Sequence, residues 1–491
     1  MSSSQAAPAG GGARNAILGV VLNLGSYLLT RGLNLIITIA LARVLAPEGM
    51  GLIAAALLAV EIVSIINGFG LRESLIYERS RSRALQTTAF LIVMVIAFIQ
   101  MGLMMLGAPF ATNFVDDPEI VPLLLVLALL FPITTLGVVP EAMLLKDFQF
   151  KKTAQAEAIS VIFKAAFAIS LVYMGYGVWG FVVGMFAGHI TRTFALWLLA
   201  GWRPARPDTN VKAAIRLISY GAHIVFNTFI GFFRKRADQL AIVGAMGDAA
   251  LGIYFVAARI PDIIMFGVSV TVSKIVFPTF ADASENPEAL RKMYFNTIYG
   301  SMLVMAPVSI GMMAISPLVV PLLFGDEWMA AIPVLLILSL IGIPQTIGWT
   351  SGDVFKATGR PELLTLLTTM QMAFTLPVVF ATAFLTRDLL WIAIAMVATE
   401  AASAAMRLWA MQRYEKIGPL ETMLASAKPV LAAAIMGLGV VGLQKFSGSQ
   451  PLGLQLVGSL IAGVVLYPIL MLAIDYDNTM RWVRLIRRSR S

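Results

Sequence analysis

The sequence predicts an all-α integral membrane protein with fourteen transmembrane helices: two six-helix bundles related by internal pseudo-symmetry, followed by two C-terminal helices. Three observations predict it. Of 491 residues, 59% are hydrophobic and 13% charged, with a mean hydropathy of +0.85, whereas a soluble chain is typically about a quarter charged. Fourteen apolar segments approach the roughly 20 residues a helix needs to cross a hydrocarbon core about 30 Å thick. Lys and Arg crowd into alternate connectors, as topology requires.

Taken in order, residues 1–14, MSSSQAAPAGGGAR, are small and polar and predict a disordered tail. They lack the basic n-region and short apolar h-region of a signal peptide. The apolar runs Leu18 to Leu45, Gly51 to Leu71, Gln86 to Ala111, Ile120 to Leu145, Thr153 to Met174 and Val178 to Leu199 supply six spans of an N-lobe over 15–200. The connector with Asp116, Asp117 and Glu119 is short and leaves no room for an extracytoplasmic domain. In the sixth span Gly180, Gly184 and Gly188 form a small-residue ridge suited to close helix contact. A basic linker, GWRPARPDTNVK, falls in 201–216. Leu217 to Gly244, Gly252 to Pro278, Thr297 to Leu323, Ala330 to Asp353, Leu363 to Leu385 and Leu389 to Met411 make a C-lobe over 217–412. Lys428 to Leu443 and Leu452 to Ile474 add two spans in 413–476, and the basic tail of 477–491, ending in RWVRLIRRSRS, suits anionic headgroups. Pro132, Pro140, Pro261, Pro317, Pro344 and Pro377 lie inside spans, where proline kinks or loosens a helix.

With the N-terminus in the cytoplasm, 26 of the 36 Lys and Arg fall in cytoplasmic segments, including Arg192 to Arg216 and Arg407 to Lys428. Only Arg43, Arg387 and Lys445 fall opposite, and seven cations remain inside helices. That asymmetry places both termini in the cytoplasm. An internal repeat agrees with this parse: Leu45 to Ala56 matches Met246 to Ala257, aligning Gly51 with Gly252 at an offset of 201 residues. The offset lays Glu61 over Asp262, and Arg31 over Phe232 beside the Arg234 cluster. Transporters commonly bind substrate where such halves meet.

A net charge of +9 could signal nucleic acid, but binding it needs a water-exposed basic face, and here the cations sit in short connectors. With no Cys and two His, disulfides, thiolate chemistry and a His-based metal centre are excluded or improbable. GYGVWG at 175–180 matches the dinucleotide fingerprint in form, yet it sits in a hairpin between membrane helices with no preceding strand. No Walker loop, zincin motif or nucleophile elbow occurs.

Chemistry is left to the charges at mid-span. Each costs about 2.5–3.5 kcal/mol at a bilayer centre on the lenient insertion scale, so each must face protein or water. Arg31, Lys164, Arg234, Lys235, Arg236 and Arg259 are central, and Lys274 lies deeper toward the cytoplasm. A cavity lined by such cations selects an anion, and these seven are the candidate binding residues. Residues 234–236 span about 200° of helix, so at least one faces away from any shared cavity. Some of these charges could instead be structural pairs, Arg234 with Asp238 or Arg259 with Asp262. Glu157, two turns before Lys164, is too distant to neutralise it within the helix. Glu61, Asp238, Asp262 and Glu400 are candidates for coupling a proton or Na⁺, or counter-charges to nearby cations. His189 and His223 read as satisfied polar groups.

ALARVLAPEGMGLIAAA at 40–56, FGLRESLIYERS at 69–80, LLKDFQFKKTA at 144–154, GYGVWGFVVG at 175–184, RADQLAIVGAMGDAALGIYFVAARIPD at 236–262 and LLFGDEWMAAIPVLLIL at 322–338 together resemble the Wzx-type polysaccharide flippases. These belong to the multidrug/oligosaccharidyl-lipid/polysaccharide exporter superfamily. The resemblance implies a non-enzymatic flippase of the bacterial inner membrane that moves an undecaprenyl-diphosphate-linked oligosaccharide to the periplasmic leaflet by alternating access through a cationic cavity. It implies no cofactor beyond H⁺ or Na⁺ coupling or the membrane potential. The partners it implies are the lipid-linked substrate, membrane lipids, a polymerase and a co-polymerase, with the chain working as a monomer and without nucleic acid. A lipid II flippase and a multidrug or cation antiporter of the same superfamily are the alternatives. The antiporter would favour an acidic, aromatic cavity and usually twelve spans. A polysaccharide polymerase or ligase would need a large extracytoplasmic loop, which is missing.

Overall fold

A computed structural model describes residues 29–77, 82–207, 211–448 and 450–488. The expected N-terminal tail and the start of the first span lie outside the described residues. The described chain is helical, with no strand among the described residues, and it divides into two compact units, Met1–Phe232 and Phe233–Ser491.

The first unit begins with α1 (29–44) and α2 (Pro47–Val63), the latter started by Pro47 in the first turn, where a missing N–H costs nothing. A 3₁₀ segment, Ser64–Gly70, leads to α3 (Leu71–Tyr77). Ser82 caps α4 (Arg83–Gly107) by accepting from the Leu85 amide. The fourth span is three pieces, α5 (Ile120–Leu127), α6 (Leu130–Thr135) and α7 (Val138–Lys146). Its interruptions lie one turn before Pro132 and Pro140, whose missing N–H takes the Ala128 and Leu136 carbonyls out of the α-helical ladder; the first accepts instead from the Phe131 amide and the second from Trp197 Nε1. α8 (Phe150–Leu171) and α9 (Gly177–Ala200) form a hairpin turned through Gly175 at φ 91°. The glycine ridge is its seam. A Cβ on Gly180, Gly184 or Gly188 would come within 2.8 Å of Val172, 2.6 Å of Ala168 or 2.9 Å of Lys164, respectively. The linker after α9 is docked: Trp202 Nε1 donates to Gln86 Oε1 at 2.8 Å, and the Ala205 amide donates to Thr87 Oγ1 at 2.9 Å.

α10 (Val211–Ala283) holds the seventh and eighth apolar runs and breaks at Gly247, with φ 81° and ψ −168°. Tyr254 reaches back across this break to Asp238, so the second unit opens on a hairpin too. Asn286 caps α11 (Pro287–Leu323), 37 residues long. One stretch of α11, with Tyr294, Ile298 and Met302, packs with Phe355 of α13 and with Leu408 and Met411 of α15. A later stretch, with Ala306 and Ile310, packs with Ala432 and Met436 of α16 and with Met471 of α17. The helices that follow α11 are α12 (Ala331–Leu338), α13 (Gly342–Ala357), α14 (Pro361–Thr386), α15 (Leu389–Glu415), α16 (Pro419–Phe446) and α17 (Leu452–Ile474). α18 (Tyr476–Arg488) makes the basic tail a helix. A 3₁₀ turn, Ser339–Ile341, separates α12 from α13 one turn before Pro344. Arg360 with Glu415, Arg291 with Glu421 and Lys428 with Asp475 bind helix ends together along one rim of the unit.

Pro261, Pro317 and Pro377 depart from expectation. They lie within α10, α11 and α14, where no interruption falls beside them. Among the described residues eleven stretches are long and apolar enough to cross a membrane, and two of them, Phe150–Ala200 and Thr228–Ser269, are the hairpins. Leu91, Val95, Phe98, Leu103 and Leu106 of α4 stay exposed, an apolar face fit for lipid.

Candidate functional site

Polar atoms inside these apolar units gather around cavities. In the first unit α1, α2, α3 and α6–α9 line a space of about 590 Å³, within the roughly 300–1,000 Å³ of ligand pockets. Arg192 of α9 organises it: Nη2 donates to Glu141 Oε1 at 2.9 Å and Nε donates to Glu157 Oε2 at 2.8 Å. Arg72 lies 2.7 Å from Glu73 and 3.7 Å from Glu141. Lys164 Nζ donates to Asn34 Oδ1 at 3.0 Å and stands 5.5 Å from the Phe181 ring centroid, within range of a cation–π contact. Three cations, Arg72, Lys164 and Arg192, thus share the wall with Glu73, Glu141 and Glu157, and His189 adds a polar group. Formal charge within this wall balances.

The second unit carries two adjoining cavities. One, about 230 Å³, is lined by Arg234, Ser273, Gly348, Trp349, Asp353, Lys356, Thr368, Gln371, Glu400 and Arg407, among others. Its neighbour, about 170 Å³, takes Arg234, Lys235, Arg236, Asp238, Asp262 and Glu400. Arg234 and Glu400 face both, with Nη1 3.9 Å from Oε2, and Glu400 Oε2 also accepts from Gln371 Nε2 at 2.8 Å. Asp238 is buried and turned elsewhere than the helical spacing implies. Its Oδ2 accepts from the Tyr254 hydroxyl at 2.7 Å and its Oδ1 from the Gln239 amide at 2.7 Å.

The candidate cations therefore divide between the two units. Lys164 lines the first cavity, and Arg234, Lys235 and Arg236 line those of the second. Arg31 is half-buried in α1, whose contribution to the cavity wall comes from Thr30 and Asn34. Glu61 is likewise half-buried beside the lining residue Val60. Arg259 stands over the Phe255 ring at 5.7 Å. The side chains of Lys274 and His223 lie outside what is described. Among the described residues no cluster of three or more His, Cys, Asp or Glu side chains could hold a metal ion.

Sequence reasoning misses the two arginines on which the cavities turn. Arg192 and Arg407 count there as cytoplasmic connector charges, yet both lie inside helices, about two turns from the ends of α9 and α15. Their signal was position, since each falls within its own predicted apolar run. Glu157 also answers to a different partner, pairing across the hairpin with Arg192.

Helix hairpins, interrupted spans and charge-lined cavities inside apolar walls define a polytopic membrane protein built around internal polar spaces. The chain belongs to the polysaccharide biosynthesis protein family, whose model matches residues 40–333. It is similar to the succinoglycan biosynthesis transport protein ExoT of Rhizobium meliloti, with 25% identity over 480 residues, 96% of this chain and 95% of that one. It is similar also to the lipopolysaccharide biosynthesis protein WzxC of Escherichia coli, with 23% identity over 338 residues, 68% of each chain. Among solved structures, the lipid II flippase MurJ in an inward closed conformation shares the fold with a TM-score of 0.78 at 14% identity, covering 94% of this chain and 99% of that one. An inward-facing multidrug resistance MATE transporter of the MOP superfamily follows with a TM-score of 0.63 at 15% identity, covering 79% and 94%.

Proposed function

We propose that this transporter is a flippase for an undecaprenyl-diphosphate-linked oligosaccharide, carrying it from the cytoplasmic to the periplasmic leaflet of a bacterial inner membrane by alternating access. The observation that carries this is a charged cavity of about 590 Å³ held inside apolar helices of a polysaccharide biosynthesis family member. A charged headgroup crossing hydrocarbon unaided faces a prohibitive desolvation cost. Arginine forks match phosphate oxygens, and a polar wall shelters the sugars.

The full parse is fourteen spans in two related halves plus two helices, with both termini cytoplasmic. Its support lies in recurring detail. VPLLLVL at 121–127 corresponds to IPVLLIL at 332–338, and Gly137 to Gly348, at an offset of 211 residues. Both stretches break before a proline, and Gly137 and Gly348 face α9 and α15 near Thr193 and Arg407. For coupling, Asp238 and Glu400 are the carboxylates to which a proton or Na⁺ is assigned, since both line a cavity and are mostly buried. The polymerase and co-polymerase of the same polysaccharide are the proposed partners.

Deleting the gene and recovering lipid-linked intermediates tests the proposal. The cytoplasmic leaflet should accumulate an undecaprenyl-diphosphate oligosaccharide. Accumulation of lipid II would transfer the role to cell-wall precursor export, and no accumulation would overturn it.

A further inference from the structure

Arg407 is 7% exposed. Among the described residues no carboxylate oxygen lies within 4.0 Å of its nitrogens. Its contacts are three, all to neutral oxygens at 3.4 Å: Nε donates to Ser403 Oγ, and Nη2 donates to Thr368 Oγ1 and to Gln371 Oε1. Charge-assisted hydrogen bonds normally close to about 2.7–2.9 Å, and a guanidinium has five N–H groups to satisfy. The acids nearby are engaged elsewhere. Glu400 holds Arg234 and Gln371, and Asp353 takes Lys356 at 3.2 Å. Arg234 lines the same cavity, and its buried Nε makes no hydrogen bond.

Arg407 and Arg234 face this cavity with Glu400 shared between them, and a buried cation that is incompletely neutralised is disfavoured unless an anion completes it. Space for one is present. The cavity of about 230 Å³ equals roughly eight waters at about 30 Å³ each, too small for an oligosaccharide and sufficient for one phosphate- or carboxylate-sized group. Gly348 keeps it open: a Cβ there would sit 3.7 Å from Arg407 Cδ and Nε.

We propose that the cavity between α13, α14 and α15 is a subsite for a single oxyanion group of the substrate, with Arg407 binding it and Thr368 and Gln371 positioning it. Only the origin of that oxyanion, a lipid phosphate or a sugar-borne carboxylate, rests on the flippase proposal. The approach of the anion would draw Arg407 from its long neutral contacts into a fork, and would compete with Glu400 for Arg234.

The test uses the purified full chain with inorganic diphosphate, inorganic phosphate and glucuronate as separate probes, at ionic strength matched with chloride. Thermal midpoint and tryptophan fluorescence are read, Trp349 lining the site. At least one probe should stabilise the wild type saturably, and the tighter of phosphate and carboxylate names the source. Arg407→Gln should weaken that probe at least tenfold, and Arg407→Lys by less, since a point charge lacks the fork. Gly348→Leu, which fills the space without removing charge, should also lose binding, whereas Arg387→Gln, at an exposed connector, should bind as the wild type does. No saturable effect in the wild type, or equal affinity in Arg407→Gln, overturns the subsite. Anion binding in a protein whose deletion accumulates no lipid-linked intermediate would retain the subsite and remove the flippase.

Discussion

Arg192 shows how a single side chain sets a cavity. With its two carboxylate partners it forms a charged bridge from α9 to α7 and α8. Replacing it by Gln leaves Glu141 and Glu157 facing the cavity without their strongest donors. A hydrogen bond to a charged group contributes about 1.5–3 kcal/mol, and the lower end applies because Glu157 is 40% exposed. Arg192→Gln should lower the thermal midpoint, and Arg192→Gln with Glu157→Gln should recover part of the loss. Equal midpoints for wild type and single variant would make the bridge incidental. At this scale the sequence is least legible. Mid-span cations can be found by bisecting apolar runs, but an arginine two turns from a helix end is accounted for equally well by topology. Nor does spacing along one helix reveal partners across a hairpin, which is why Asp238 meets Tyr254 and Glu157 meets Arg192.

Helices are where the sequence reads best. The last predicted span, Leu452–Ile474, coincides with α17, and the glycine ridge marks the tightest approach between α8 and α9. Gly184→Leu would force side-chain atoms into the Ala168 backbone, and overpacking of this kind costs typically about 1–3 kcal/mol. Its thermal midpoint should fall, and Gly453→Leu, where a Cβ meets nothing within 4 Å, should leave it unchanged. What stays hidden is which prolines interrupt a span. Proline removes one donor everywhere, yet Pro261, Pro317 and Pro377 leave their helices uninterrupted, whereas in the fourth span the carbonyls freed by Pro132 and Pro140 are taken up by the Phe131 amide and by Trp197 Nε1 of α9, a partner that spacing along one helix does not reveal. At the end of α17, burial pushes the Asp475 carboxyl upward, but hydrogen bonds from Lys428 and Asn478 oppose it and the carboxyl is held below its ordinary range. A depressed carboxylate stabilises above its unfolded pKa of about 3.9 and loses that contribution as pH falls through the folded value. Asp475→Asn should therefore lower stability at neutral pH, and the gap from wild type should close below about pH 4. A gap constant with pH would show that Asp475 does not act through its charge.

For the whole molecule, composition with continuous apolar runs of helix-spanning length points to an all-helical membrane protein, because only helices and closed barrels satisfy the backbone in lipid and a barrel would need short segments of alternating hydrophobicity. Each unit then holds its own charged space, where repulsion and pairing are nearly balanced in the first and a buried arginine is left in excess in the second. The central claim is that these spaces let a phosphate-bearing headgroup cross. It is tested most directly by reconstituting the purified chain in liposomes loaded with an undecaprenyl-diphosphate oligosaccharide and following, over time, how much headgroup becomes accessible to a reagent outside. The account predicts that protein speeds this exchange well beyond protein-free liposomes, and that Arg407→Gln slows it. Headgroup crossing at the protein-free rate, with a cationic drug carried instead, would contradict it.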